Sequence, residues 1–327
     1  MRKRLILVLP IAVVAGWFFL KYYKITGLEK LDLQPRDAKE TASGADASGL
    51  PPARTEGDTI RIATFHVNPL DDAKLANRPL AGHLVKLIRG FDIVAIQHVV
   101  TGNRNLLVRL VEEVNAEGRH YNFATGPRDQ DAPGRPMTAM LFDQASVEID
   151  PSTVCLIEDP ANRLRHRPLV AAFRARGVEP TQAFTFTLIS VHVSPDRAAQ
   201  ELDLMDEVFR RVRDDGRNED DIILLGDIGA DDRHLAQWEQ ALYLTCAVSR
   251  TPSTLRGTRL SDNLLFDRRA TIEYTGHSGV TDVMRELDLS TQEAGDLSDH
   301  LPVWAEFSIY EGGQAGPLAS RPGKTTR

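Results

Sequence analysis

Between about Thr59 and Tyr310 the chain alternates short apolar runs with longer stretches of helical period, the pattern of a layered α/β domain. Ile60–Val67 alternates apolar and polar side chains and predicts a strand. Leu80, Leu84, Leu87 and Ile88 recur at helical spacing and predict a helix over 75–88. Asp92–Gln97 is almost wholly apolar, as a strand buried on both faces would be. A second helix is predicted over Asn105–Val114. Further strands are predicted at Met137–Phe142, Leu169–Phe173, Ala183–Val193, Asp221–Leu225, Leu260–Phe266 and Pro302–Ser308. The clearest helix follows Ser194, with Ser194 as its cap, Pro195 in its first turn and Asp196 at its positive end. Leu202, Met205, Phe209 and Val212 would be its buried stripe.

The ends of the chain break this rhythm. Arg2, Lys3 and Arg4 precede an apolar run from Leu5 to Leu20, and Lys21 and Lys24 follow it. Residues 1–27 are therefore expected to be a single-pass membrane anchor, with Tyr22 and Tyr23 at the interface and the rest of the chain extracytoplasmic. The rival is a signal peptide cleaved near Ala12 or Ala15, which would leave a secreted domain. Residues 28–58 have no sustained apolar period and are expected to be a flexible linker; 59–310 would be the folded domain and 311–327 a disordered tail.

Composition narrows the function classes. The 327 residues are 42% hydrophobic and carry a formal net charge of -7, so no global positive field draws nucleic acid. A local basic groove would be needed instead, and Arg163, Arg165, His166 and Arg167 form the one cluster placed to serve, with Arg165 and Arg167 as candidate phosphate contacts. A solvated loop is the plainer reading of that cluster. Cys155 and Cys246 have no metal-ligand spacing and are expected to be buried free thiols, one bridge between them staying open outside the cytoplasm. The chain has no phosphate loop, serine-hydrolase elbow or kinase signature.

Candidate chemistry sits at strand ends. Gly226-Asp227-Ile228-Gly229 follows one apolar run and Ser298-Asp299-His300 precedes another. Ile60 to His66, Asp92 to His98, Ser190-Val191-His192 and Ser261-Asp262-Asn263 complete an ordered set. Together these segments resemble the endonuclease/exonuclease/phosphatase superfamily, of which deoxyribonuclease I is the familiar member. The resemblance covers most of the domain and implies a two-sheet α/β sandwich. It also implies phosphodiester or phosphomonoester hydrolysis with a divalent metal. Within it His192 and His300 would transfer protons, Asp262 would orient His300, Asp227 would position the nucleophile, and Asp299 would bind the metal.

Three positions depart from that pattern. His66 stands where the superfamily has Asn, His98 where it has the metal-binding Glu, and Gly229 where it has a second Asn. Pro136 lies near the place of a Glu that pairs with the first His, and His166-Arg167-Pro168 replaces Arg-Glu-Pro. Imidazole suits Mg²⁺ poorly and Zn²⁺ or Mn²⁺ better. One reading is a re-specified Zn²⁺ or Mn²⁺ site made by His66 and His98 with Asp299 or Asp227; the other is a lapsed site in which two His fill space. Two function classes follow. One is a membrane-anchored phosphoester hydrolase acting on a phosphate-containing substrate, nucleic acid among the options. The other is a catalytically inactive family member serving as an extracytoplasmic binding or scaffold protein.

Overall fold

The structure, a computed structural model, describes residues 57–101, 105–127, 136–230 and 232–313. The strands among them are β1 (Thr59–Leu70), β2 (Ile93–Val99), β3 (Tyr121–Thr125), β4 (Met137–Asp143), β5 (Val147–Leu156), β6 (Leu169–Ala175), β7 (Thr185–His192), β8 (Ile222–Asp227), β9 (Leu244–Cys246), β10 (Asp262–Asp267), β11 (Tyr274–Val280) and β12 (Val303–Ser308). The helices are α1 (Asp72–Ala76), α2 (Arg78–Ile88), α3 (Leu106–Asn115), α4 (Ala198–Leu202), α5 (Met205–Arg213), α6 (Asp232–Leu242), α7 (Val283–Leu287) and α8 (Thr291–Leu297). Two six-stranded sheets form, ordered β11-β12-β1-β2-β4-β3 and β5-β6-β7-β8-β10-β9.

The alternation of each strand sorts its side chains between two layers. Ile60 and Ile62 of β1 point inward to meet Leu188, Ile223, Leu225 and Phe266 of the facing sheet. Ala63, Phe65 and Val67 point outward under α2, α3 and α8. On the second sheet Ile189, Val191 and Leu224 face outward and are covered by Leu202, Met205, Phe209 and Val212. Both central strand pairs, β1·β2 and β7·β8, are parallel, and the neighbours β12 and β10 run antiparallel to them. The C-terminal ends of four strands and the N-terminal approaches to two others therefore open at one end of the sandwich, where α/β folds place their chemistry.

The predicted strands are all present, while two helix expectations change. The helix expected over 75–88 is two helices, because the Asn77 side chain accepts from the Leu80 amide and starts α2 afresh, with Pro79 in its first turn. Ser194 does not cap a helix. Its hydroxyl donates to Asp196 at 2.6 Å and its amide donates to buried Glu201 at 2.8 Å, so the helix begins only at Ala198.

The anchor and linker expected at 1–27 and 28–58 lie, up to residue 56, outside the described residues. No helix among the described residues is long and apolar enough to cross a membrane. The longest have 11 residues, about 16 Å at about 1.5 Å per residue, roughly half of a bilayer core of about 30 Å. The single-pass membrane localisation is corrected accordingly. The tail expected from 311 begins as a turn, Glu311–Gly313, and the rest lies outside the described residues. Both thiols are free, but Cys155 is exposed rather than buried. It lies on β5 and Cys246 on β9, opposite edges of one sheet, so a bridge between them cannot form.

Candidate active site

Each residue of the site is delivered by a strand end. His66 sits on β1 and His98 on β2; the pairing register shifts just after His66, between His66 and Leu70, and around His98, between Ile96 and Val99. Such bulges re-aim side chains at sheet rims. His98 holds a left-handed φ of 62°, a conformation that costs a non-glycine residue about 1–3 kcal/mol and collects at functional sites. His192 and Asp227 end β7 and β8 and are register partners; Asp262 opens β10 opposite Asp227. Gly226 makes that junction feasible. It has a φ of 151°, and a Cβ there would lie 1.9 Å from the Val191 carbonyl oxygen.

The imidazoles converge. His66 Nε2 lies 3.2 Å from His98 Nδ1, and His66 Nδ1 lies 3.2 Å from Asp227 Oδ2. Ring centroids of His66 are 4.7 Å from His192 and 4.4 Å from His300. Ligand atoms of His66, His98 and His192 all lie within 4.8 Å of one another, as do those of His66, Asp227 and His300. Asp299 stands outside both triads. It is exposed, and its Oδ1 accepts from the Asn68 side chain at 3.4 Å. Below the rings, Thr64 donates to Gln97, and Gln97 donates to Ser190 on the opposite sheet, tying the cleft floor across the core.

Electrostatics assigns protonation states. Burial would lower the His300 imidazole, but its 2.7 Å hydrogen bond to Asp262 Oδ2, with Asp227 and Asp299 nearby, lifts it to about 9. Burial lifts Asp262 to about 6 against the opposing pull of His300. At neutral pH this pair is an imidazolium facing a carboxylate, which Ser253 also contacts by donating at 2.9 Å. Burial alone would raise Asp227; His66, His300 and the 2.6 Å hydrogen bond from Ser261 overcome it and hold the carboxyl well below the usual range. His192 is pushed down to about 3, by burial first and then by His166 and His66, so it is neutral. His98 is lowered by burial and by His66.

Two functional candidates, Lys74 and Arg259, escape sequence reasoning, and His166 of the basic cluster takes a place that the cluster alone does not predict. His166 stacks on His192 at 4.2 Å with planes 7° apart. Glu201 fixes that loop by accepting from the Arg165 amide at 2.6 Å and from the Ser194 amide at 2.8 Å, which brings the His166 segment beside the end of β7. Lys74 is buried, and its ammonium donates to the carbonyls of Leu297 and Asn68, near Asp299 and His98. Arg259 fills the place of the missing Asn side chain: its guanidinium lies 3.4 Å from where a Cβ on Gly229 would be. Of the predicted basic cluster, Arg163 is turned away to Glu207 at 3.0 Å, while Arg165 and Arg167 are exposed on either side of His166.

The donor set can be tested against a metal. His66 Nδ1 is turned to Asp227 Oδ2 at 3.2 Å, which leaves its Nε2 facing His98 Nδ1, also at 3.2 Å. Three neutral-capable imidazoles beside a carboxylate suit Zn²⁺ or Mn²⁺; the arrangement lacks the oxygen cage Mg²⁺ prefers.

No family model matches the chain. Among curated proteins, deoxyribonuclease-1-like 2 of Mus musculus is 26% identical over 271 residues, 77% of this chain and 92% of the relative. Deoxyribonuclease-1 of Bos taurus is 23% identical over 267 residues, 76% and 92% of the two chains. Among solved structures, D. rerio TDP2 complexed with single strand DNA product aligns at a TM-score of 0.54 with 15% identity, over 77% of this chain and 100% of that one. An endonuclease/exonuclease/phosphatase from Bacteroides vulgatus aligns at 0.52 with 15% identity, over 77% and 99%. At such identities the structural likeness speaks for the fold alone.

Proposed function

The chain belongs to the deoxyribonuclease I-like endonuclease/exonuclease/phosphatase superfamily, and from that premise we propose that it is a phosphodiester hydrolase whose metal is held by imidazoles. The observation carrying this reading is the convergence of His66, His98 and His192 beside an ionised Asp227 and a protonated His300. His66, His98 and His192 hold the ion, with Asp227 orienting His66 from behind, as carboxylates commonly do for metal-binding imidazoles. Asp299, exposed at the rim, would add a carboxylate beside the ion or the substrate. A bound Zn²⁺ or Mn²⁺ supplies charge neutralisation at the phosphoryl oxygens and an acidified water.

The remaining steps belong to the protein. His300, kept protonated by Asp262, donates its proton to the leaving oxygen as the P–O bond breaks. Asp227 accepts a hydrogen bond from the attacking water and fixes its direction as the new P–O bond forms; its low basicity keeps it ionised, so the water's proton leaves to solvent. Arg259 contacts the phosphate where the superfamily has an amide, and Arg165 and Arg167 flank the cleft as electrostatic guides. The relatives' names point to nucleic acid as the substrate class. At a net charge of -7, binding rests on these local cations and is expected to weaken steeply with salt.

The test is hydrolysis of plasmid DNA, RNA and a chromogenic phosphodiester by the chelator-treated chain, reloaded with Zn²⁺, Mn²⁺ or Mg²⁺. Turnover with Zn²⁺ or Mn²⁺ that is lost in both His300→Ala and Asp227→Asn supports the proposal. A folded protein that turns over no substrate with any metal refutes it and leaves the binding-protein class.

A further inference from the structure

The end of the sandwich opposite the cleft collects a second set of converging ligands. Asp221 immediately precedes β8, Glu273 immediately precedes β11, and Glu311 opens the turn after β12. The same register that brings Asp227 and His300 together at one end brings these three together at the other, about 20 Å away along β8 (6 residues at about 3.3 Å each). One oxygen from each carboxylate lies within 4.8 Å of the others.

These are built side chains rather than a solvated acidic patch. Asp221 and Glu273 are each only 2% exposed, and each keeps a buried oxygen, Oδ1 and Oε2 respectively, with no aligned hydrogen bond. The other oxygens are already oriented by backbone amides. Gly312 donates to Glu273 Oε1 at 2.6 Å, and Thr185 donates to Glu311 Oε2 at 3.2 Å. Each contact leaves the second oxygen of its carboxylate for another ligand. The hydroxyl of Thr271 is fully buried beside Asp221.

The charged groups that act most strongly on the cluster are its own members with Glu219 and Asp220, all acidic. Burial, then Glu273, pushes Asp221 up to about 8, and burial raises Glu273 and Glu311 as well. Either a proton or a cation must answer this concentration of acid.

We propose that Asp221, Glu273 and Glu311 form a second metal site, for a hard divalent cation with Ca²⁺ preferred, remote from the catalytic cleft. Every donor is an oxygen, without imidazole or thiolate, which selects Ca²⁺ or Mg²⁺ over Zn²⁺. Donors drawn from three separate segments fit the larger, geometrically tolerant Ca²⁺, and exposed Glu311 leaves room for the waters that complete its shell. The ion would clamp the far ends of β8, β11 and β12. It would thereby support, from below, the two strands that carry Asp227 and follow His300. This site is independent of the hydrolase reading.

The chelator-treated full chain is titrated with CaCl₂ by calorimetry and melted with and without it. Asp221→Asn, Glu273→Gln and Glu311→Gln are the variants, and His98→Ala is the comparison. The expected result is a single Ca²⁺ per chain and a raised melting temperature, both kept in His98→Ala, with affinity at least about tenfold weaker in each carboxylate variant. Glu311 is exposed, so Glu311→Gln keeps the test open where the two buried variants fail to fold. No binding by the wild type at pH 8.5, with Asp221→Asn melting above it in the absence of cation, would show that a shared proton holds the cluster and would overturn the proposal. A calcium response unchanged in Glu311→Gln would overturn it too.

Discussion

In the cleft two buried acids each face an imidazole: Asp227 lies 3.2 Å from His66 and Asp262 lies 2.7 Å from His300. At the base end, Asp221 and Glu273 face only other acids. The same strands, β8 and the β12 segment, carry both arrangements. The contrast teaches that ligand chemistry, not fold, separates the two ends. Mixed nitrogen and carboxylate donors hold fixed charges of both signs and suit a borderline ion and proton transfer. An all-oxygen set stores unbalanced charge and suits a hard cation that stabilises without reacting.

The largest expected effect falls on turnover and only at the cleft. His300→Ala and Asp227→Asn should each lower kcat of the metal-loaded protein by about 10²–10⁴-fold, with circular dichroism unchanged. A kcat left unchanged by both substitutions would remove the cleft as the reaction centre.

Next, Gly226→Ala should destabilise the fold by about 3 kcal/mol or more in urea unfolding. The added Cβ meets the Val191 carbonyl at 1.9 Å on a backbone at φ 151°, so the strand pair that presents both His192 and Asp227 must separate. A neutral result would show that β7 and β8 can shift without cost.

Metals should then sort by end. At 100 times its Kd each ion adds about 2.7 kcal/mol of stability. The Zn²⁺ increment should vanish in His98→Ala and persist in Glu311→Gln, with the converse for Ca²⁺. An exchange of these outcomes would erase the distinction drawn here.

Two buried groups, His192 at the cleft and Asp221 at the base, should also respond to pH in opposite directions, followed by melting temperature in chelator. His192 has a folded pKa near 3, below its unfolded value of about 6.5. Its neutral state favours folding above about 6.5, and that contribution is lost as pH falls toward 3. Asp221 has a folded pKa near 8, above its unfolded value of about 3.9. Its contribution is complete below about 3.9 and is lost as pH rises through about 8. Ca²⁺ should remove the alkaline loss. Turnover has its own alkaline limb near pH 9, where His300 gives up its proton.

The smallest effect should come from Arg259→Ala. Removing an exposed guanidinium beside Gly229 should raise KM about fivefold with kcat nearly constant, as expected for a phosphate contact made equally in ground and transition states. A fall in kcat with KM unchanged would instead place Arg259 in transition-state binding.

Residues whose roles depend on their own strand were legible in the sequence. The alternation of Ile60–Val67 and the apolar run before Asp227 dictate which side chains face the core, and the positions of His66, His192, Asp227, Asp262 and His300 at strand ends follow from that. Local chemistry also misled. Ser194-Pro195-Asp196 has every mark of a helix start, yet Glu201 captures the Ser194 amide and delays the helix to Ala198. A buried carboxylate competing for a backbone donor leaves no local trace.

What the sequence by itself determined is the layered α/β order of elements and the presence, at strand ends, of two imidazoles where oxygen ligands were expected. Only the tertiary structure decided that His166 stacks on His192, that Arg259 occupies the space beside Gly229, and that Asp221, Glu273 and Glu311 meet at the base. The reason is physical: a strand's period fixes the face each side chain takes, whereas the distance between two strand ends is set by sheet order and register. Those are properties of the whole packed chain, and no short segment carries them.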